Sequence, residues 1–262
     1  LINPIVTAAT TIWRNTASTG SRTLPEETAV AMTYDRETFA VMMASPQDLE
    51  DFALGFSFSE SIVESRADIT ALEIVTLPLG IECRMELTQA KRGALAARRR
   101  HIAGPAGCGL CGMDSLEQAL RPAKPVPHTL RLSASEIAGA LSRLPQAQSL
   151  NQATRAVHAA ALYTPGAPDL LVREDVGRHN ALDKLIGAAT IAGRHGIILL
   201  TSRVSIELIQ KAAIFGAEIL AAVSVPSARA VRDAEQAGIT LIAVARDDGF
   251  EIFTHAERVI LS

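Results

Sequence analysis

Ile197-Ile198-Leu199-Leu200-Thr201, Ile219-Leu220-Ala221-Ala222-Val223 and Thr240-Leu241-Ile242-Ala243-Val244-Ala245 are three apolar runs separated by segments with helical spacing, Ser205 to Phe215 and Ser227 to Ala237. Short unbroken apolar runs of this kind read as strands buried on both faces, and strands alternating with helices build a sheet covered on either side. Upstream, Val157 to Tyr163 and Asp169 to Arg173 read as strands around Pro165-Gly166, followed by a helix that buries Leu182, Leu185, Ile186 and Ala189. Downstream, Asp248-Gly249 turns the chain into Phe250 to Thr254. The fold class expected here is α/β, with a central mixed or largely parallel sheet.

Polar residues gather where these strands end: Arg173, Glu174, Asp175, Arg178 and His179 after one, Ser202, Arg203 and Ser205 after the next, then Ser227 and Arg229, then Arg246 and Asp247. Ligands of open α/β sheets bind in the crevice beyond the carboxyl ends of the strands. Helix N-termini and arginines there suit a phosphate or pyrophosphate. Neither a GxGxxG nor a Walker loop occurs, which argues against an ordinary dinucleotide or P-loop site.

The N-terminal part reads as a smaller α+β unit. Residues 1 to 26 lack periodicity and are expected as an arm or edge segment. Val30, Met32 and Tyr34 on one face, then Phe39, Val41 and Met43 beyond Asp35-Arg36-Glu37, alternate as in a hairpin. Ser45-Pro46-Gln47-Asp48 supplies a cap signal for a helix to about Val63, with Leu49, Phe52, Ala53 and Phe56 inward. Ile69 to Leu77 and Gly80 to Leu87 form two more strands, the second placing Cys83 on the apolar face. Residues 88 to 107 read as a basic, mobile approach. Arg121-Pro122-Ala123-Lys124-Pro125-Val126-Pro127 reads as a joint, and Ser133 with Glu136 as a capping box for a helix burying Ile137, Leu141 and Leu144. The expected division is therefore residues 1–127, carrying a loop over about 93–113, and residues 128–262.

With 262 residues, 48% of them hydrophobic, the chain has apolar content enough for two cores. A net charge of −3 with dispersed basic residues lacks the footprint of a nucleic-acid binder. No apolar stretch reaches the length of a membrane span and no signal peptide opens the chain, so a cytoplasmic protein is expected.

Three cysteines in such a chain do not make a disulfide framework, and two of them form Gly107-Cys108-Gly109-Leu110-Cys111-Gly112. Flanking glycines present the thiols on a tight loop, and Arg98-Arg99-Arg100-His101 before it favours thiolate. Asp114 and Glu117 read as a capping box for a helix over Ser115 to Arg121. Three chemistries fit the pair. A structural zinc site needs four ligands, and Cys83 and His101 would have to complete it; a zinc deaminase would need glutamate where Ala160 follows His158 by two. A dithiol oxidoreductase places its CxxC at a strand-to-helix junction, unlike this glycine and arginine loop. A persulfide carrier needs a low-pKa thiolate with a second thiol to assist delivery.

The residues also carry a resemblance. Met42-Met43-Ala44-Ser45-Pro46, Asp48 to Phe56, Cys108 to Gly112, His158 to Leu162, Arg173-Glu174-Asp175-Val176-Gly177-Arg178-His179-Asn180-Ala181-Leu182-Asp183-Lys184, Ser202-Arg203-Val204-Ser205, Pro226 to Val231 and Phe250 to His255 together resemble the FdhD family, the formate dehydrogenase accessory sulfurtransferases, over nearly the whole chain. The resemblance implies a sulfurtransferase that takes persulfide sulfur from a cysteine desulfurase. It implies delivery to the molybdenum or tungsten bis(molybdopterin guanine dinucleotide) cofactor of formate dehydrogenase, bound as substrate, with GDP-like nucleotides as mimics. It further implies a homodimer and a three-layer C-terminal domain similar to cytidine deaminases. Cys108 matches the persulfide carrier and Cys111 its partner. Phe250, Glu251, Ile252, Phe253, Thr254 and His255 match the cofactor-binding strip. His158, Arg173, Arg178, Ser202, Arg203, Ser227 and Arg229 complete the expected cofactor site, and no resident metal is expected. One departure is Thr154-Arg155-Ala156-Val157 before His158, where the family commonly carries glycine.

Overall fold

The computed structural model describes residues 2–99 and 123–261. Cys108, Cys111, Arg100, His101, the capping pair Asp114/Glu117 and the helix expected over Ser115 to Arg121 lie outside the described residues.

The chain opens with an antiparallel ribbon, β1 (Ile5–Arg14) on β2 (Thr16–Pro25). Where an arm or edge segment was expected, threonine-rich strands pair with each other along their full length, and Trp13 stands 74% exposed on β1. A four-stranded sheet follows, ordered β4 (Glu37–Ala44), β3 (Thr28–Tyr34), β6 (Gly80–Leu87) and β5 (Ile69–Leu77). Asp35 and Arg36 both take positive φ at the β3–β4 turn, as a two-residue hairpin with matching twist requires. Helix α1 (Leu49–Ser59) packs on this sheet, burying Leu49, Phe52, Leu54 and Phe56. Each such side chain removed from water stabilises the fold by about 1.5–3 kcal/mol.

Three local expectations are corrected here. The register shifts between Met32 and Thr33, opposite Phe39, so Ala40 and Ala44 face the core while Val41 and Met43 are about half exposed. One extra residue in a strand reverses the facing of every residue beyond it. Ser45 is not the cap of α1: its N–H and Oγ are engaged with the chain around Asp175, and the helix starts at Leu49 from Asp48 in left-handed conformation. Within the expected basic approach, residues Gln89–Arg99 form helix α2, whose Leu95 joins the N-terminal core. Cys83 is fully buried on the core face of β6, and burial pushes its thiol up to about 12, so it is inert as a nucleophile.

Beyond the extended 123–127 segment, β7 (Leu132–Ser133) leads into α3 (Ala134–Arg143), capped reciprocally by Ser133 and Glu136, and then α4 (Ser149–Thr154). The main sheet is six-stranded and mixed, ordered β13 (Gly249–Ile252), β12 (Thr240–Arg246), β11 (Ile219–Ala222), β10 (Ile197–Leu200), β8 (His158–Tyr163) and β9 (Leu171–Asp175). Only β10–β11 and β11–β12 are parallel. The hairpin connections β8–β9 and β12–β13 make their own pairs antiparallel, and β8 runs against β10. Helices α5 (Arg178–Ala192), α6 (Ile206–Phe215) and α7 (Ala228–Ala237) cover one face over Ile198, Leu200, Leu220 and Leu241. Helix α3 covers the other, over Ile197, Leu199, Ile219 and Ile242. A short bridge of β14 (Val259–Ile260) to β7 ties the end of the chain to that side.

The two sheets are joined where α1 crosses α5. A Cβ on Gly55 would lie 1.7 Å from the Asp183 carbonyl oxygen, and one on Gly187 would lie 1.9 Å from that of Asp51. Only glycine permits backbones this close. Among the described residues, no helix is long and apolar enough to cross a membrane.

Candidate functional site

Strands β9, β10, β11 and β12 all end at one edge of the main sheet, and antiparallel β8 begins there, with His158 in register with Asp175. Helices α5, α6 and α7 start from the same edge. This edge, where an open sheet of this kind offers its crevice, therefore gathers His158, Arg178, His179, Ser202, Arg203, Ser205, Glu207, Ser227 and Arg229, residues remote in sequence. Three helix N-termini bring the positive ends of their dipoles to this edge.

The chain just before α5 does a different job. Asp175 is fully buried: Oδ2 accepts from Lys184 Nζ at 2.7 Å and Ser45 N–H at 3.0 Å, while Oδ1 accepts from Gly177 N–H at 2.8 Å and Asn180 Nδ2 at 3.0 Å. Lys184 also donates to the Ser45 carbonyl at 2.9 Å, and Asn180 to the Met43 carbonyl at 2.9 Å. Arg173, expected at a phosphate, is paired instead with Asp51 at 2.7 Å on α1. Glu174 accepts the Leu150 and Asn151 N–H groups, both at 2.8 Å, at the start of α4. Much of the Arg173 to Lys184 motif thus holds α5 against the N-terminal sheet and fixes the direction in which its first turn points.

That first turn presents Arg178 and His179. Burial and the Arg178 guanidinium push His179 down to about 4, against the opposing pull of Glu207. His158 is shifted the same way, by burial first and then by Arg178 and Arg203. Both imidazoles are neutral near pH 7, poor proton reservoirs but competent hydrogen-bonding groups. Arg203 is exposed at the crevice mouth. Ser202 is buried and donates to the Arg203 carbonyl at 3.0 Å. Ser227 caps α7 by accepting the Ala230 N–H at 3.1 Å, and Arg229 lies 2.8 Å from Asp233 one turn on.

The Phe250 to His255 strip runs away from this edge. Gly249 pairs with Arg246 at the crevice end, whereas Thr254 bonds the Ile239 carbonyl at 2.6 Å and the Leu241 N–H at 2.9 Å, at the start of β12. His255 sits at that far end, its carbonyl accepting from Thr240 and its ring against the Glu235 carbonyl at 2.9 Å and Glu257 at 3.3 Å. Glu251 points outward, Phe253 is 37% exposed, and Phe250 and Ile252 pack partly on the α3-side core. Within one chain, Thr254 and His255 are not brought together with His158 and Arg203.

Glu207 is not singled out by the sequence, being one acid in the first turn of a helix. Asp183 and Lys211 are not singled out either, though their signal was a charge at a helical position otherwise facing inward.

Comparison with known proteins adds three findings. The FdhD/NarQ family description matches residues 25–260. A protein of Agrobacterium fabrum named sulfur carrier protein FdhD is 51% identical over 261 residues, covering 97% of this chain and 95% of its own, and the Brucella abortus protein of the same name is 51% identical over 246 residues, covering 92% and 91%. A crystal structure of a proposed formate dehydrogenase accessory protein from Desulfotalea psychrophila superposes with a TM-score of 0.78 at 22% identity, covering 98% of this chain and 100% of that one, which is a likeness of fold.

Proposed function

The chain belongs to the FdhD/NarQ family, and from that premise we propose that it is a sulfur carrier that serves formate dehydrogenase through a persulfide on Cys108. The observation that carries this reading is the Gly107 to Gly112 CxxC motif in a chain sharing half its residues with proteins named as sulfur carriers. In the first step the Cys108 thiolate attacks the outer sulfur of a persulfide on a cysteine desulfurase. The donor's S–S bond breaks, the desulfurase cysteine leaves as a thiolate, and Cys108 holds the transferred sulfur. Cys111 is the accessory thiol.

The cargo's destination is the molybdenum or tungsten bis(molybdopterin guanine dinucleotide) cofactor, held as substrate by residues 128–262 of a homodimer in the cytoplasm, while residues 1–127 carry the cysteine loop. Arg178, Arg203 and Arg229, with Ser202, Ser227 and His158, supply charge and hydrogen bonds suited to its phosphates. The Phe250 to His255 strip, at the sheet's outer edge, holds another portion of the same molecule. A C-terminal domain of cytidine-deaminase type fits the mixed sheet, though Ala160 removes the glutamate that deamination needs.

The test is to incubate the protein with cysteine and a desulfurase and weigh it intact. The wild-type chain gains the mass of one sulfur atom, reversible by a thiol reductant, and Cys108→Ala gains none. Sulfur retained by Cys108→Ala would refute the assignment.

A further inference from the structure

Four polar atoms in the first turns of α5 and α6 are shielded from solvent and hydrogen-bonded to nothing: Arg178 Nε, His179 Nε2, Ser205 Oγ and Glu207 Oε2. They belong to side chains gathered at the crevice edge. His179 Nε2 and Glu207 Oε2 face each other at 3.9 Å, beyond hydrogen-bond reach, on side chains 18% and 15% exposed. Leaving a buried polar atom unmet costs more than a made bond returns, so four together at one edge favour a polar partner there.

Their chemistry restricts that partner. Arg178 Nε only donates and a carboxylate oxygen only accepts, while serine and a neutral imidazole can do either. A phosphate offers acceptors alone, so it would leave Glu207 unmet and be repelled by it. A ring edge with adjacent N–H donors beside a carbonyl acceptor meets both needs at once. The 2-amino-4-oxopyrimidine ring has that edge, and guanine and pterins share it.

We infer that Arg178, His179, Ser205 and Glu207 form a recognition site for a 2-amino-4-oxopyrimidine ring, with Glu207 accepting from the ring N–H and the 2-amino group and Arg178 donating to the 4-oxo oxygen. The inference rests on the cofactor reading above and adds the residues that select its ring. This moves Arg178 from the phosphates, where the cofactor reading above grouped it, to the ring, and leaves Arg203 and Arg229, at neighbouring strand ends, for the phosphates.

Equilibrium binding to the full chain tests this with GMP, IMP, which lacks the 2-amino group, AMP and 6-hydroxymethylpterin. Wild-type protein is expected to prefer GMP over IMP by about tenfold or more, since losing a donor leaves the carboxylate unpaired. Glu207→Gln, checked for an unchanged melting curve, brings the ratio towards one. Arg203→Ala weakens GMP and IMP alike and leaves the ratio intact. Glu207→Asp, which keeps the charge, serves if the glutamine variant misfolds, and is expected to retain an intermediate ratio. Tighter binding of the pterin than of GMP, lost with Glu207→Gln, identifies the pterin as the occupant. A GMP-to-IMP ratio untouched by Glu207→Gln overturns the inference while leaving the carrier reading standing. If no ring compound binds, the inference falls, and sulfur loading of Cys108 on the same preparation decides the carrier reading separately.

Discussion

Helix α5 carries two groups of charges that are treated in opposite ways. Midway along it, Asp183 and Lys184 are almost wholly buried and fully partnered: Asp183 accepts from Ser59 at 2.6 Å and from Lys211 at 2.9 Å, and Lys184 donates to Asp175 at 2.7 Å. The lysines also lie over the rings of Phe52 and Phe56, at 5.6 and 5.7 Å. At its very start, Arg178 and His179 are only partly buried, yet each has a shielded atom left unmet. Saturated charges buried against a second element hold structure together, whereas unsatisfied ones at a strand edge are available to a ligand. Family motifs mix the two, and the geometry separates them.

The largest break in this comparison comes at the seam. Gly187→Leu would drive a side chain into the Asp51 carbonyl, already 1.9 Å from a would-be Cβ. We expect a loss above about 4 kcal/mol, seen as failure to fold or a collapsed thermal transition. A well-folded variant would mean that α1 and α5 separate readily.

Next is the Asp183–Lys211 pair. Burial works against the Lys211 charge, but Asp183 and Glu60 outweigh it and hold the ammonium above its ordinary value. Removing one partner strands the other, so Lys211→Met alone should cost about 3–5 kcal/mol by urea unfolding. The double change Asp183→Leu with Lys211→Met should recover at least half of that. An additive double loss would show that Ser59 and Glu60, not the pair, carry the stabilisation.

The C-terminal half was legible in sequence because its strands are apolar runs and its helices have Ser205, Ser227 and Gly177 at their starts and Gly193, Gly216 and Gly238 at their ends. Polar residues after strand ends come to one edge of the sheet, since strand direction alone decides that edge. What was hidden depended on tertiary contacts. The bulge at Phe39 turned β4 over, and Asp175 took the serine that resembled a helix cap. Arg173 was read as a phosphate ligand because its partner Asp51 lies 122 residues away in sequence. The strip from Phe250 to His255 is contiguous in sequence, but a strand extends it away from the crevice.

The smallest effect sharpens the comparison by pH. His179 is pushed down to about 4 from a reference value of 6.5, so the unfolded chain binds a proton that the folded one refuses between those values. Stability is therefore full above pH 6.5 and declines as pH falls towards 4, by ~2 kcal/mol for this residue after allowing for its partial exposure. His158, lowered by burial and the same arginines, acts in the same sense. Urea unfolding between pH 4 and 7 should show this slope, and His179→Gln should flatten it by removing the titrating ring. An unchanged slope in His179→Gln would place the acid sensitivity elsewhere. A ligand that hydrogen-bonds the neutral ring meets that ring in the folded chain, where it takes a proton only near pH 4, so affinity should hold level across the interval in which stability declines and fall only as pH reaches about 4, in wild type and not in the variant.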